Sequence, residues 1–409
     1  MSHIDDLIAR LCPDGVHYRP LGDLGEFIRG NGLQKKDLQA SGMGAIHYGQ
    51  VFTAYGTSAS ETVSFVDPVV GAGLRRAQPG DLVIATTSEN DEDVCKAVAW
   101  IGADEIAVSG DAYIYRHTLD PRYVAYCFQS RRFQSQKAPF VSGTKVRRVS
   151  GSQLARIVIP VPPVEVQREI VDVLEAMETL VAQLACELSA RRRQYVYYRD
   201  VLLDYSGGSD VPKRPFGDIA TIVRGASPRP IQAFITDRQD GVNWIKIGDV
   251  PADGKFITKT AERITEAGAE KSRRVKPGDF VLSNSMSFGR PYVVAIEGCI
   301  HDGWLAIKDF ESSFVPDFLY HLLRSTAMYN EMASRAGAGT VQNLNADIVR
   351  SLVLPVPPLP EQARIAAALD AFDALVNDLS SGLPAEIAAR RAQYEHYRDR
   401  LLSLPERVA

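Results

Sequence analysis

The chain has few of the features that announce chemistry. Its five cysteines, Cys12, Cys95, Cys127, Cys186 and Cys299, are scattered and form no C-x-x-C pair. An odd set without regular spacing excludes a disulfide framework and a zinc cage and leaves reduced thiols. No apolar run approaches the ~18 residues that span a bilayer, so no membrane association is expected. Residues 1–10 carry Asp5 and Asp6 rather than a basic-then-apolar leader, which points to the cytoplasm. There is no G-x-x-x-x-G-K-S/T loop, which argues against an ATP-driven motor. Val-Pro-Pro stands where amino-methyltransferases need Asn/Asp-Pro-Pro-aromatic to hold a flipped base. Gly71-Ala72-Gly73 leads into basic residues and a Pro-Gly turn, not into the helix start of a nucleotide-binding turn. His301-Asp302 is the most tempting catalytic pair. It lacks a second histidine or acidic cluster at ligand spacing and reads as a polar turn beside a strand. No catalytic residue, metal or cofactor is assigned to this chain.

Charge is unevenly spread. The net value of −4 does not suggest a nucleic-acid binder. Residues 121–160 nonetheless hold eight basic side chains and no acidic one, and residues 81–111 hold eight acidic groups against Lys96. Screening limits the reach of distant charges to a Debye length of ~8 Å, so a local basic surface can bind phosphates on an acidic chain.

What the chain does have is a duplication. IVIPVPPVEVQREI (157–170) returns as LVLPVPPLPEQARI (352–365), and ARRRQYVYYRDVLL (190–203) returns as ARRAQYEHYRDRLL (389–402). The first offset is 352 − 157 = 195 and the second 389 − 190 = 199, so the second copy has gained four residues. RPLGD (19–23) matches RPFGD (214–218), and GDLVIATTS (80–88) matches GDFVLSNSM (278–286), each of the latter pair preceded by proline. Such a period far exceeds solenoid repeats of roughly 20–50 residues and implies the order domain, helix, domain, helix.

A helix follows each Val-Pro-Pro. Over 165–204 the stripe is Ile170, Leu174, Met177, Val181, Leu184, Leu188, Arg191, Tyr195, Tyr198, Leu202, the alternation of a heptad. The second stripe runs from Ile365 to Leu401 but steps three, four, four around Leu379 to Ile387. That stutter coincides with Gly382 and Pro384, where a kink or break is expected. Two matched stripes suit antiparallel pairing, with one globular domain at each end; each helix packing only on its own domain is the alternative. The globular regions read as mixed α/β, with strand candidates at 82–85, 113–115, 244–247, 280–282 and 292–295 and one helix over 315–333.

The two helical blocks, the opening LIARLCPDGVHYRPLGD and the stretch NSMSFGRPYVV…HDGWLAIK together resemble the specificity subunits of Type I restriction–modification systems, over essentially the whole chain. The resemblance implies an α/β (mixed α+β) fold with two target-recognition domains separated by two long antiparallel coiled-coil helices in pseudo-two-fold symmetry. It implies domain 1 at 1–160, a central helix at 161–205, domain 2 at 206–355 and a C-terminal helical region at 356–409. Each domain would read one half of an asymmetric split site in double-stranded DNA. Partners would be two adenine-N6 methyltransferase subunits and two translocase–nuclease restriction subunits, which would use S-adenosylmethionine, ATP and Mg2+. A fused nuclease–methyltransferase system served by a similar subunit, and a structural coiled-coil adaptor, are the alternatives.

Base readout needs side chains on loops near a groove, with phosphate contacts setting the register. In domain 1 the candidates are Gly143, Thr144, Lys145, Arg147 and Arg148, with Thr87, Ser88 and Asn90 on a second loop. Glycine admits close backbone approach, and arginine forks onto phosphate or guanine. In domain 2 they are Gly339, Thr340, Gln342 and Asn343, whose amides suit adenine edges, with Asn284, Ser285, Ser287 and Arg290 on the second loop and Lys246 within the 244–247 strand candidate. Polar surface loops would show the same composition. Lys271, Arg273, Arg274 and Lys276 form a further basic patch, phosphate-facing or merely solvated. The helix ends mix arginine and tyrosine, a composition favoured at protein interfaces: Arg191, Arg192, Tyr195, Tyr198 and Arg199, then Arg390, Arg391, Tyr394, Tyr397 and Arg398. Part of each block is expected to meet a methyltransferase subunit; packing within the coiled coil is the competing role for the tyrosines.

Overall fold

The computed structural model describes residues 2–205, 207, 210–250, 254–284, 288–336, 344–378 and 380–407. The chain forms two compact units, Met1–Gln183 with Ala388–Ala409, and Leu184–Ile387. Both are mixed α/β and share one plan.

In the first unit the apolar run Leu82–Ala85 takes the centre of a five-stranded sheet, in the order Gly25–Arg29, Ala112–His117, Leu82–Ala85, Lys96–Trp100, Ser58–Ala59. The second unit repeats that order with Thr221–Arg224, Trp304–Lys308, Phe280–Ser283, Pro291–Val294 and Phe256–Ile257. Each unit adds a second sheet, built around Met43–Ile46 and Ile106–Val108 in one and Val242–Ile245 and Gly298–Ile300 in the other. Successive side chains of a strand point to opposite faces. Val83 and Ala85 therefore join Ile106 and Val108 of the second sheet, while Leu82 and Ile84 join Tyr123, Phe128, Ile170 and Leu174 of the helices. Val281 and Phe280 divide in the same way. A strand buried on both faces has to be apolar throughout, which is why these runs are continuous rather than alternating.

The repeated sequence blocks account for the repeated geometry. Gly80 and Gly278 both have φ +96°, a turn conformation that other residues rarely adopt. The aspartate that follows closes each turn: Asp81 accepts the Gln78 amide at 2.8 Å and Asp279 accepts the Lys276 amide at 2.9 Å. Asp81 also pairs with Arg116 at 2.8 Å, and Asp279 with Lys308 at 3.6 Å. The strand ahead of Val-Pro-Pro pairs with the strand that opens each domain, in one register: Arg19 opposite Ile159, and Arg214 opposite Leu354. The block's glutamine then ties the helix start to the rest of the unit. Gln167 Nε2 donates to the Pro162 carbonyl at 2.8 Å and its Oε1 accepts the Asp120 amide at 3.0 Å. Gln362 makes the corresponding bonds to Pro357 and Val315 and a third to the Ser313 carbonyl.

The first copy's helix is unbroken over Val164–Leu202, with residues up to Gln183 in the first unit and the rest in the second. The second copy breaks at the stutter, into Leu359–Asn377 and Gly382–Leu401. Gly382 sits at φ +68°, with the Leu375 carbonyl 2.6 Å from where a Cβ would stand, so only glycine fits. Pro384 falls in the first turn of the new helix, where its missing N–H costs nothing. In the second unit the two helical segments run antiparallel, Arg192 reaching Val376 and Tyr195 reaching Phe372.

The helix expected over 315–333 is two, Pro316–Leu323 and Thr326–Arg335. Ser325 ends one and caps the other, its Oγ accepting the Met328 amide at 3.3 Å. Asp200 of the long helix accepts the Thr326 amide at 3.0 Å. The first unit has the same break, with Ser130 capping Arg131–Lys137 and Asp399 accepting the Arg131 amide at 3.0 Å. The paired Tyr-Arg-Asp of the two helix-end blocks thus supplies a carboxylate to a helix N-terminus in each unit.

Gln362 is fully buried. Gln362→Ala would strand the Val315 amide and two carbonyls, and should cost about 3 kcal/mol in equilibrium urea unfolding; a loss below about 1 kcal/mol would contradict the tying role. Burial also pushes the His117 imidazole down to about 4, whereas an unfolded histidine titrates near its ordinary 6.5. The unfolded chain therefore takes up this proton first, and the neutral ring's contribution is full above pH 6.5 and lost as pH falls toward 4. In His117→Asn, which keeps an acceptor for the Leu119 amide, the stability difference from wild type should narrow over that interval.

Candidate nucleic-acid interface

In the first unit the two candidate loops are brought together. Thr87–Ser88 and Arg147–Arg148 form a two-stranded antiparallel ribbon, Ser88 opposite Arg147 and Thr87 opposite Arg148. The chain between returns through a hairpin, in which the Ser142 amide donates to Arg148 O at 3.0 Å and the Arg148 amide to Ser142 O at 2.9 Å. Gly143 at φ +94° makes the bend; a Cβ there would stand 2.1 Å from the Val146 carbonyl oxygen. Gly143, Thr144 and Lys145 lie exposed at the tip, and Arg148 and Asn90 are exposed beside it. Thr87 is buried and serves the ribbon's backbone, and Ser88 is half-buried.

The basic run 121–160 does not make one cationic surface. Arg122 pairs with Glu175 at 3.1 Å, Arg131 with Asp399 at 2.9 Å and Arg132 with Glu406 at 3.7 Å. Arg156 lies over the Phe140 ring, and Lys137 is buried. Arg147 pairs with Asp91 at 2.8 Å and donates to the Gly143 carbonyl at 2.6 Å. The acidic stretch thus meets the basic one locally: Asn90 and Asp93 hydrogen-bond to each other, and Asp91 faces the hairpin. Among the described residues, Lys145, Arg148 and Arg156 are the members of the run with neither an ion-pair partner nor a buried position, and Arg156 lies against the Phe140 ring.

In the second unit Ser285, Ser287, Gly339, Thr340, Gln342 and Asn343 lie outside the described residues. Their flanks meet as in the first unit: the Leu344 amide donates to Asn284 O at 2.8 Å, where the Val149 amide donates to Thr86 O at 3.3 Å. Asn284 is buried, its Nδ2 donating to the Asp302 carbonyl at 3.0 Å. Arg290 stacks over Tyr292 at 5.4 Å, and Lys246 pairs with Glu262 at 2.6 Å. In the further basic patch Arg274 is bound by Glu266 and Lys271 lies over the Phe234 ring at 4.7 Å. The His301-Asp302 turn is as expected, with the Gly303 amide donating to His301 Nδ1 at 2.7 Å and the Ser227 hydroxyl donating to Asp302 at 2.7 Å.

The helix-end blocks sort into inward and outward members. Tyr195 is 2% exposed, its hydroxyl 3.1 Å from His321 Nδ1, and His321 Nε2 lies 2.9 Å from Asp370. Tyr394 holds the equivalent place, donating to Glu178 at 2.6 Å. Arg199 is buried over Tyr195 against Asp200, and Arg398 lies over Tyr394 against Asp399. Arg191 pairs with Glu187, Arg390 donates to Gln393, and Tyr397 is half-buried beside His396. Arg192, Tyr198 and Arg391 are exposed. The stripe did not single out Val196, Tyr197 and Val201, which are further exposed apolar members of the block beside Tyr198; they lie between stripe positions, where a periodicity argument expects solvent.

Two copies of one two-sheet module, each closed onto halves of two helices, place the chain among duplicated α/β proteins. It belongs to the family of type I restriction modification DNA specificity domains, whose model matches residues 13–189 and 209–389. It is 30% identical over 280 residues to a type I restriction enzyme specificity subunit of Escherichia coli, covering 65% of this chain and 68% of that one. A putative type I restriction enzyme specificity subunit of Haemophilus influenzae is 29% identical over 298 residues, covering 70% and 73%. The fold is shared with the solved specificity subunit of Thermoanaerobacter tengcongensis, with a TM-score of 0.55, 19% identity and coverage of 96% and 97%. A chain from a structural study of type I restriction–modification assembly matches with a TM-score of 0.68, 18% identity and coverage of 95% and 97%. Among the described residues no helix is long and apolar enough to cross a membrane.

The sorting of the helix-end tyrosines is directly testable. Tyr195→Ala should cost about 3–5 kcal/mol in chemical denaturation, as large buried truncations do. Tyr197→Ala, at a side chain 63% exposed, should stay within about 0.5 kcal/mol of wild type. Equal effects would reverse the inward and outward assignments.

Proposed function

We propose that this chain is the DNA-reading subunit of a type I restriction–modification complex, in which each unit reads one half of an asymmetric split site. The observation that carries this reading is the joining, at the same corner of each module, of two sequence-distant segments that flank the candidate loops, through the Val149–Thr86 and Leu344–Asn284 bonds. A shared frame with unlike loops is what two unlike half-sites require. The loop residues differ as the halves would: Lys145, Arg147 and Arg148 in one copy stand against Gln342 and Asn343 in the other. Arginine suits guanine or phosphate, and the amides suit adenine. In this reading the helices set the spacing of the half-sites, as subunit geometry does in dimeric DNA binders. Two methyltransferase subunits then methylate adenine N6 with S-adenosylmethionine, and two restriction subunits translocate and cut DNA with ATP and Mg2+. The outward residues Arg192, Tyr198 and Arg391 are the part of the helix-end blocks offered to the methyltransferase subunits.

The test is to co-express the chain with its adenine-methyltransferase partner in a methylation-free host and map N6-methyladenine genome-wide. The expected result is one motif of two short unlike halves around a fixed run of unspecified bases, with exchange of one globular domain changing one half only. A complex that forms and leaves no new methylation would sink the reading.

A further inference from the structure

Lys137 ends the helix Arg131–Lys137, whose start is fixed by Ser130 and by Asp399. Its side chain is buried, at 2% residue exposure. Burying an ammonium is costly unless its donors are all used. Here all three go to one loop: Asp91 O at 2.8 Å, Glu92 O at 3.2 Å and Val94 O at 2.9 Å. That loop is the one that leaves the Thr87–Ser88 strand and carries Asn90. Its Asp91 holds the Arg147 guanidinium, which in turn binds Gly143 O across the hairpin tip.

The frame does not need a lysine at this place. The offset of 195 puts Met332 there in the second copy (332 − 137 = 195), fully buried and in contact range of Gly289 on the corresponding loop. A buried methionine of similar length fills the same position by packing alone. Lys137 is therefore particular to the first unit, and its polar atoms act on the loop that differs between the units.

We propose that Lys137 is a specificity-positioning residue for the first half-site: it fixes the 89–94 loop and, through Asp91, the setting of Arg147 and the 142–148 hairpin. This rests on the DNA-reading function proposed above. It makes no contact with DNA itself; its effect is on where Asn90, Arg147 and Arg148 stand. Placing those groups matters because bidentate contacts to base edges tolerate little displacement.

The experiment maps N6-methyladenine for the full chain with its methyltransferase partner, as wild type, as Lys137→Met and as a chain with residues 13–160 exchanged, which identifies the first unit's half-site. In Lys137→Met that half should lose about tenfold or more in discrimination at one or more base positions, while the other half keeps its sequence. Asp91→Asn, at a side chain 60% exposed and outside the core, should relax the same half and carries the test should Lys137→Met fold poorly. The proposal is overturned if a folded Lys137→Met or Asp91→Asn leaves the first half unchanged. It is equally overturned if both halves weaken in parallel, as a general loss of stability would cause. A wild type that forms the complex but yields no split motif overturns the DNA-reading function and the proposal with it. A split motif with an unchanged first half overturns the proposal alone.

Discussion

A buried side-chain amide closes each module at its exit. Gln167 and Gln362 join the chain leaving a domain to the segment just ahead of Pro121–Gln129 in one unit and Pro316–Leu323 in the other. An amide can donate and accept at once, so one residue satisfies a carbonyl of the Pro-Pro turn, which has no amide of its own to offer, and an N–H of the facing segment. That bond fixes where the long helix begins, and with it the register of everything the helix touches. Downstream of it, Glu178 meets Tyr394 and Tyr126, Asp370 meets His321 and Lys255, and the helix-end aspartates reach the Arg131 and Thr326 amides. A slip of one residue in either helix would move each of these polar groups off its partner, and the cost would be greatest at fully buried His321.

This explains which parts of the molecule could be read from its sequence. The Pro-Gly-Asp turn, the Val-Pro-Pro-x-x-x-Gln block and the stutter at Gly382 are local devices, with their cause within a few residues of the sequence that shows it. The central strands were legible because burial on both faces demands unbroken apolar runs. The break after Leu323 was not, because the carboxylate that stabilises it comes from Asp200, more than a hundred positions away in the chain. Nor was the fate of the basic run. Arg131 is bound by Asp399 and Arg147 by Asp91, so a linear count of charges overstates the cationic surface that folding leaves. The heptad stripe placed Tyr195 and Tyr394 inward but carried no sign that Arg199, which is off the stripe, would also be buried, because its cover is an ion pair and the face of Tyr195.

The two modules share their closing bonds and diverge where their loops meet. Sequence change is cheap there because the ribbon's own hydrogen bonds are made by backbone: Thr87 and Arg148 pair whatever their side chains do. The frame can therefore carry new loop residues without a new fold, which is the property a reader of varied sites requires.

The same architecture limits what the basic run could contribute to holding DNA. Of the basic run, Lys145, Arg148 and Arg156 are left exposed and without an ion-pair partner among the described residues. Three phosphate contacts correspond to a salt slope of about −3, short of the six to ten contacts that give strong electrostatic binding. A hairpin held by Asp91 and Lys137 is in this respect built to discriminate more than to grip: its arginine is pre-oriented by a carboxylate that also cancels part of its charge. On the proposed DNA-reading function, the grip then comes from surfaces beyond this run, and weak, well-placed loops decide the sequence.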